Sequence, residues 1–247
     1  MMNYRDILTI IEIILLAGVM IFILKFILTN FSSKIQKPKA WVAAVKRGEI
    51  PVSLQKVERK YPDTIRLYNI WMQLKRSKEQ NIIGDLAELG VYKGDTARII
   101  HLCAPDRELH LFDTFEGFPA GDLAGETGKA SGYTTRHFAD TSVEKVVEKI
   151  SGNENIHFQK GYFPDTADEL KETKFCFVSM DADLAAPTKA GLEFFYPRLS
   201  PGGVIMVHDY NSEWPGLMKA VNDFLENIPE HFIFVPDADS TVMIIKT

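Results

Sequence analysis

The feature that most constrains the fold is an alternation: short apolar runs near residues 83–89, 108–113, 155–160, 175–181 and 202–208 are separated by stretches of helical pattern. Within Thr141–Ile150, for example, Val143, Val146, Val147 and Ile150 fall at i, i+3, i+4 and i+7, and Thr141 with Glu144 forms a capping-box pattern. Such alternation predicts a mostly parallel sheet with helices on both faces. The chain ends differently. His231–Val235 and Thr241–Lys246 read as strands joined by the turn-rich segment 236–240, so the last strand is expected to enter the sheet antiparallel, as half of a hairpin. A helix over Asp63–Arg76, with apolar Ile65, Leu67, Tyr68, Ile70, Trp71 and Leu74, is expected to open the folded domain.

Before this domain lies a different kind of segment. Residues 7–28 are almost wholly apolar, interrupted by Glu12 and Lys25, and as a helix they would measure about 33 Å against a hydrocarbon core of about 30 Å. Ile, Leu, Val and Phe occupy every face, which favours one membrane-spanning helix, centred on Ile13–Leu24, over an amphipathic or core helix. No small-residue cleavage site directly follows the apolar run, which argues against a removed signal peptide. Lys34, Lys37, Lys39, Lys46 and Arg47 lie downstream and only Arg5 and the amino terminus upstream, so the main domain is expected in the cytoplasm. The expected organisation is an anchor at 1–30, a basic juxtamembrane linker at 31–60 and a catalytic domain at 61–247.

The net charge of -5 and pI near 5.7 provide no domain-wide basic field for nucleic acid. Cys103 and Cys176 sit in apolar runs with no CxxC, which suits reduced core residues and excludes a disulfide framework. Five of the 16 glycines, at 117, 121, 125, 128 and 132, fall in the stretch Glu116–Phe138. A loop of this length beside a ligand crevice is expected to be a substrate-covering lid, with plain surface disorder as the alternative.

Three constellations carry chemistry. The run DLAELGVYKGDT at 85–96 is a strand ending in an acid, Glu88, followed by a turn containing Gly90 and Gly94 that opens a helix. Glycines there let a ligand approach the backbone, while the acid would repel a diphosphate and welcome the amino group of a methionine moiety. That tilts the cofactor from a dinucleotide toward S-adenosylmethionine. Next, LHLFDTFEG at 109–117 places Asp113 at the end of the following strand, about 20 residues beyond the glycine turn, where an acid commonly binds ribose hydroxyls. Thr114 and Phe115 follow it as further candidate cofactor contacts, Phe115 either stacking on adenine or serving the core. Finally, Asp181 and Asp183 end the fourth strand, and His208 and Asp209 end the fifth. Acids crowded at neighbouring strand ends call for a cation or protons, so a divalent ion such as Mg²⁺, with Asp181 and Asp209 as ligands and His208 as a third, is plausible. The bland reading is that Asp181 or Asp183 caps a helix starting near Pro187.

The runs ELGVYKGD (88–95), FDTFEGF (112–118), FADTS (138–142), KGYFPDT (160–166), SMDADL (179–184), FFYPRLSPGG (194–203) and VHDYNS (207–212) closely resemble the macrocin O-methyltransferase family, in continuous order over roughly 61–247. The resemblance implies a Rossmann-like class I methyltransferase sheet and metal-dependent methyl transfer from S-adenosylmethionine to a sugar hydroxyl. It further implies Asp181 and Asp209 as metal ligands, Asp183 as general base, and Glu88, Gly90, Asp113 and Phe115 in the cofactor site. The chain departs from the family where members can have paired acids and it has His208-Asp209; there His208 serves as a softer ligand or as a proton acceptor. The substrate is expected to be a glycan or glycosylated metabolite, with a lipid-linked precursor explaining the anchor, and a homodimer is left open. The rival readings are an NAD-dependent oxidoreductase and an inactive, membrane-attached S-adenosylmethionine-binding module.

Overall fold

The computed structural model describes residues 3–31, 37–152 and 154–247, with side chains of the first stretch up to Leu28. Lys34 of the basic run lies outside the described residues. In chain order the elements are α1 (Tyr4–Phe31), α2 (Lys39–Lys46), α3 (Val52–Glu58), α4 (Thr64–Glu79), β1 (Asp85–Leu89), α5 (Asp95–Cys103), β2 (Leu109–Asp113), α6 (Val143–Ile150), β3 (Ile156–Lys160), β4 (Phe175–Met180), α7 (Ala185–Phe195), β5 (Leu199–Val207), α8 (Pro215–Leu225), β6 (Phe232–Phe234) and β7 (Val242–Ile245).

The chain divides into two units, 1–42 and 43–247. In the first, α1 is one uninterrupted helix, long and apolar enough over Tyr4–Leu28 to cross a membrane, and none of that stretch is buried in the protein. The second unit begins earlier than the sequence suggests. Residues 43–60, expected to be linker, carry buried Ala44, Ile50 and Leu54, and α3 packs on α5. The phenol of Tyr68 on α4 donates to Glu58 Oε1 at 2.6 Å, tying α3 to the domain. Ile50, Leu54 and Val57 do fall at i, i+4 and i+7, but the segment is short and interrupted by Gly48 and Pro51, and its contact with α5 is what makes it part of the core.

Seven strands form one sheet in the order β3-β2-β1-β4-β5-β7-β6. The first five to enter it are parallel, and β7 runs antiparallel between β5 and β6, as the hairpin signal predicts. Helices pack in pairs, α4 with α5 and α7 with α8. All six residues of β4 are consequently buried, the expected pattern for a central parallel strand covered on both faces. Two local expectations change. The cap of α6 is Ser142, whose hydroxyl accepts from Lys145 N, while the Thr141 hydroxyl donates to the carbonyl of Tyr92 and takes no part in a capping box. Strand β5 starts at Leu199 instead of 202: Ser200-Pro201-Gly202-Gly203 reads as a turn, yet it is absorbed as an irregularity in the β4–β5 pairing, with Gly202 at φ +78°.

The strand order reverses between β1 and β4, and in such sheets a crevice opens beyond the carboxyl ends of the strands at that point. Close approach there requires Gly90: it sits at φ +86°, and a Cβ on it would lie 2.0 Å from the carbonyl oxygen of Asp181. The same stretch is fastened by Asp181 N donating to Leu89 O and Gly90 N donating to Phe112 O.

Candidate active site

A cavity of about 380 Å³ occupies this crevice. Glu88, Gly90, Asp113, Thr114, Asp181, Asp183, His208 and Asp209 all line it, so most of the residues picked out from the sequence converge. Two do not. Gly94 is off the wall; at φ +76° it begins α5, and a Cβ there would meet Val146 Cγ1 at 2.6 Å, so it serves helix packing. Phe115 is 3% exposed and turned toward Phe158, with ring centroids 6.3 Å apart, and it does not line the cavity. Its backbone at φ +54° swings the ring inward, so the adenine-stacking assignment gives way to the core one.

Glu88 is 1% exposed and its Oε2 has no hydrogen-bond partner in the protein. Burial pushes this carboxyl well above its ordinary value, opposed by the nearby Arg66 guanidinium and reinforced by Asp181 and Asp113. An unsatisfied buried acid on a cavity wall is costly unless a ligand meets it, and an ammonium group is the natural complement. Asp113, by contrast, is occupied: Oδ2 accepts from Val91 N and Tyr92 N, each at 2.8 Å, and Oδ1 from Phe115 N at 2.7 Å. With about four acceptor sites on a carboxylate, one lone pair remains for a hydroxyl. Orphaned Glu88, the Cβ-free wall at Gly90 and this residual acceptor fit the amino acid and ribose ends of a nucleoside-bearing amino acid.

The second half of the site is a charge network. Asp181 Oδ2 accepts from Arg66 Nη2 at 3.0 Å, and Oδ1 lies 3.1 Å from His208 Nδ1. The same nitrogen lies 3.3 Å from Asp209 Oδ1, and His208 Nε2 lies 3.8 Å from Asp239 Oδ2. Burial would raise the Asp181 carboxyl, but the charges of His208 and Arg66 outweigh it and hold it far below the usual carboxylate range. Burial likewise works against protonated His208, yet Asp181 and Asp209 push the imidazole up to about 10. Asp183 goes the other way: burial first, then the charges of Asp181 and Asp209, drive its carboxyl well up, despite His208. Asp183 and Asp209 both adopt left-handed backbone, at φ +60° and +61°. Neither Asp181 nor Asp183 caps α7, whose N-cap is Leu184.

Ligand atoms of Asp181, His208 and Asp209 lie within 4.8 Å of one another, close enough to share one small cation. In the protonated form His208 already supplies the positive charge, so a divalent ion would replace the imidazole proton. The donor set, two carboxylates and an imidazole, fits a hard-to-borderline divalent ion on that condition.

Arg66, Tyr133, Trp214 and Asp239 were not singled out from the sequence. Arg66 lies one turn before Ile70 on the buried stripe of α4, an unusual place for a guanidinium, and that position is the one sequence signal it gives. The stretch 116–138 supplies much of the far wall through Gly117, Phe118, Asp122, Lys129, Tyr133 and Phe138. Phe118 stacks on Tyr133 at 5.2 Å, Phe138 packs edgewise on both, and Tyr133 reaches Trp214 at 5.5 Å. The loop is therefore packed over the cavity, as a lid would be, and holds a 3-10 turn at Gly128–Gly132.

The family model for the macrocin O-methyltransferases matches residues 63–236. The chain belongs to this family. Among curated relatives it is 26% identical over 172 residues to a 2,3-dimethoxyrhamnosyl-tetracenomycin C 4'-O-methyltransferase of Streptomyces olivaceus, covering 64% of each chain. It is 30% identical over 156 residues to the demethyldecarbamoylnovobiocin O-methyltransferase of Streptomyces niveus, covering 59% of this chain and 60% of the relative. To the mycinamicin III 3''-O-methyltransferase of Micromonospora griseorubida it is 28% identical, covering 64% and 67%. The chain thus spans about two thirds or less of the length of these relatives. The solved O-methyltransferase NovP is similar over 74% of this chain and 80% of its own, at a TM-score of 0.65 and 28% identity. An O-methyltransferase from Bacillus cereus in complex with SAH shares the fold at a TM-score of 0.51 and 13% identity, over 88% and 96%. The sheet is therefore the Rossmann-like methyltransferase sheet of this macrocin O-methyltransferase family, and the apolar helix α1 lies before the matched region.

The charge network has a pH signature. A histidine whose folded pKa is raised from its ordinary 6.5 to about 10 contributes stability that is fully present below about 6.5 and lost as pH rises through about 10. In chelator, the thermal midpoint should fall across that window, and His208→Gln should flatten the fall. A slope unchanged by His208→Gln would show that another group carries it.

Proposed function

We propose that the unit 43–247 is an S-adenosylmethionine-dependent O-methyltransferase that acts on a sugar hydroxyl of a glycan or glycosylated metabolite. The observation that carries this reading is the sharing of one cavity by the orphaned Glu88 carboxyl and the Asp181–Asp183–His208–Asp209 cluster. The names of the relatives, which specify O-methylation of novobiocin, mycinamicin and rhamnosyl-tetracenomycin precursors, support the substrate class. A dinucleotide is disfavoured because Glu88 would stand where its diphosphate must pass.

Glu88 would hold the ammonium of the methionine moiety and Asp113 a ribose hydroxyl. The lid aromatics Phe118, Tyr133 and Phe138 exclude water from the space between cofactor and acceptor. The cofactor supplies a sulfonium-activated methyl group, and a divalent ion held by Asp181, His208 and Asp209 would supply positive charge that lowers the pKa of the acceptor hydroxyl. Asp183 takes the hydroxyl proton: the burial and like charge that raise its pKa make it a stronger base once it is ionised. Removal of the O–H proton by Asp183 would leave an electron pair on the acceptor oxygen for the methyl group that the cofactor would supply.

Replacing Asp183 with Asn should lower methyl transfer to a rhamnoside acceptor at least ~100-fold, in line with loss of a general base, while S-adenosylmethionine affinity stays within about threefold. Turnover at the wild-type rate in that variant would remove Asp183 from the base role.

For α1 we propose a single membrane span that leaves the enzyme unit in the cytoplasm, supported by its length and by Lys37, Lys39, Lys46 and Arg47 on its carboxyl side. A lipid-linked glycan would then be the natural acceptor. The full chain should resist alkaline extraction from membranes and lose that resistance on deletion of residues 1–30; extraction of the full chain as a soluble protein would contradict the anchor.

A further inference from the structure

The lid is fastened at one point that the chemistry above does not use. Glu126, half-buried in the stretch 116–138, accepts a hydrogen bond through Oε1 from the backbone N–H of Ala185, at 2.7 Å and 59 residues away in sequence. Ala185 is the first residue of α7, and that helix has no capping side chain of its own, since its N-cap is Leu184. Glu126 therefore does from a distance what an N-cap residue does locally, and its charge suits the positive end of the helix.

Its other oxygen points to the start of α8. A Cβ on Gly216 would lie 2.7 Å from Glu126 Oε2 and 3.3 Å from Ala185 Cβ, so a side chain there would collide with the carboxylate. Gly216 does not have the positive φ that demands glycine. What its absence of a side chain provides here is room for Glu126. Helix α8 also lacks a side-chain cap, its N-cap being Trp214. Around this point the lid is pressed on the same turn: Lys129 N donates to Glu213 O at 2.8 Å, and a Cβ on Gly128 would meet that carbonyl at 2.3 Å.

Ala185 lies two residues after Asp183, and the turn between them is tight, with Leu184 N donating to Ala182 O at 2.6 Å. Glu213 lies on the turn that leads from His208 and Asp209 into α8, and Gly216 in the first turn of that helix. One carboxylate on the lid thus accepts from the start of the helix after Asp183 and fills the space beside Gly216, at the start of the helix after His208 and Asp209. We propose that Glu126 is a positioning residue that latches the lid to these loops, so that closing the cavity and setting the geometry of Asp183 are a single event. In its catalytic consequence the proposal rests on the methyltransfer reading above; the latch itself does not.

The test uses the full chain in detergent, as wild type and as Glu126→Gln, Glu126→Ala and Gly216→Ala. Gln keeps an acceptor for Ala185 N but not the charge, and Gly216→Ala leaves Glu126 in place but crowds it. Amide hydrogen exchange over 119–133 and at Ala185 is measured with no substrate present, and kcat and KM for the acceptor are measured beside S-adenosylmethionine affinity. The latch predicts exchange at least tenfold faster in both regions in Glu126→Ala, with smaller increases in Glu126→Gln and Gly216→Ala. It also predicts a lower kcat and a higher acceptor KM, with cofactor affinity within about twofold. Unchanged exchange in Glu126→Ala would overturn the latch, and so would faster exchange confined to the lid with Ala185 protected as before. A wild-type chain that transfers no methyl group would sink the methyltransfer reading while the exchange data still decide the latch.

Discussion

The rest of the structure depends on how negative charge is compensated in one buried crevice. Glu88, Asp181, Asp183 and Asp209 converge where β1 and β4 diverge, and carboxylates so close in a low-dielectric space cannot all be ionised unaided. The protein answers with Arg66 on one side of Asp181 and His208 on the other, while burial and the charges of Asp181 and Asp209 raise the Asp183 carboxyl well above its ordinary value. Glu88 is left with an unpartnered oxygen. The orphaned Glu88 oxygen leaves a place that an ammonium group would complement.

The geometry that produces this crowding is ordinary parallel-sheet topology. Consecutive strands deliver their carboxyl ends to the same edge, and Gly90 allows β1 to come within reach of the Asp181 backbone. Residues far apart in sequence meet because the sheet order reverses at β1 and β4. The lid adds a wall that no strand supplies, and its aromatics pack on Trp214 from the loop after β5. Substrate cover and acidic cluster therefore share a foundation in the starts of α7 and α8.

Much of this was legible in the sequence because central parallel strands are buried on both faces and so read as continuous apolar runs, with helical patterns between them. The antiparallel hairpin and the acids at strand ends could be read from turn residues and from position. What escaped depended on contacts that no local pattern encodes. Phe115 lies two residues after Asp113, which lines the cavity, but is buried against Phe158. The oxygens of Asp113 are largely spent on the turn at Val91–Tyr92, which spacing alone would not show. Helix α8 opens with Trp214-Pro215-Gly216, which reads as a turn, and α3 is made part of the core only by its packing. Arg66 sits among apolar neighbours on α4, and its role appears only once Asp181 is placed beside it.

Whether Glu88 recognises the ammonium of S-adenosylmethionine is decided by calorimetric titration of the full chain with S-adenosylmethionine and separately with NAD, repeated for Glu88→Gln. Saturable binding of S-adenosylmethionine alone is expected, weakened roughly 10- to 100-fold in the variant, the loss expected for a charge-assisted hydrogen bond. Binding of NAD, or equal S-adenosylmethionine affinity in the two proteins, would contradict it.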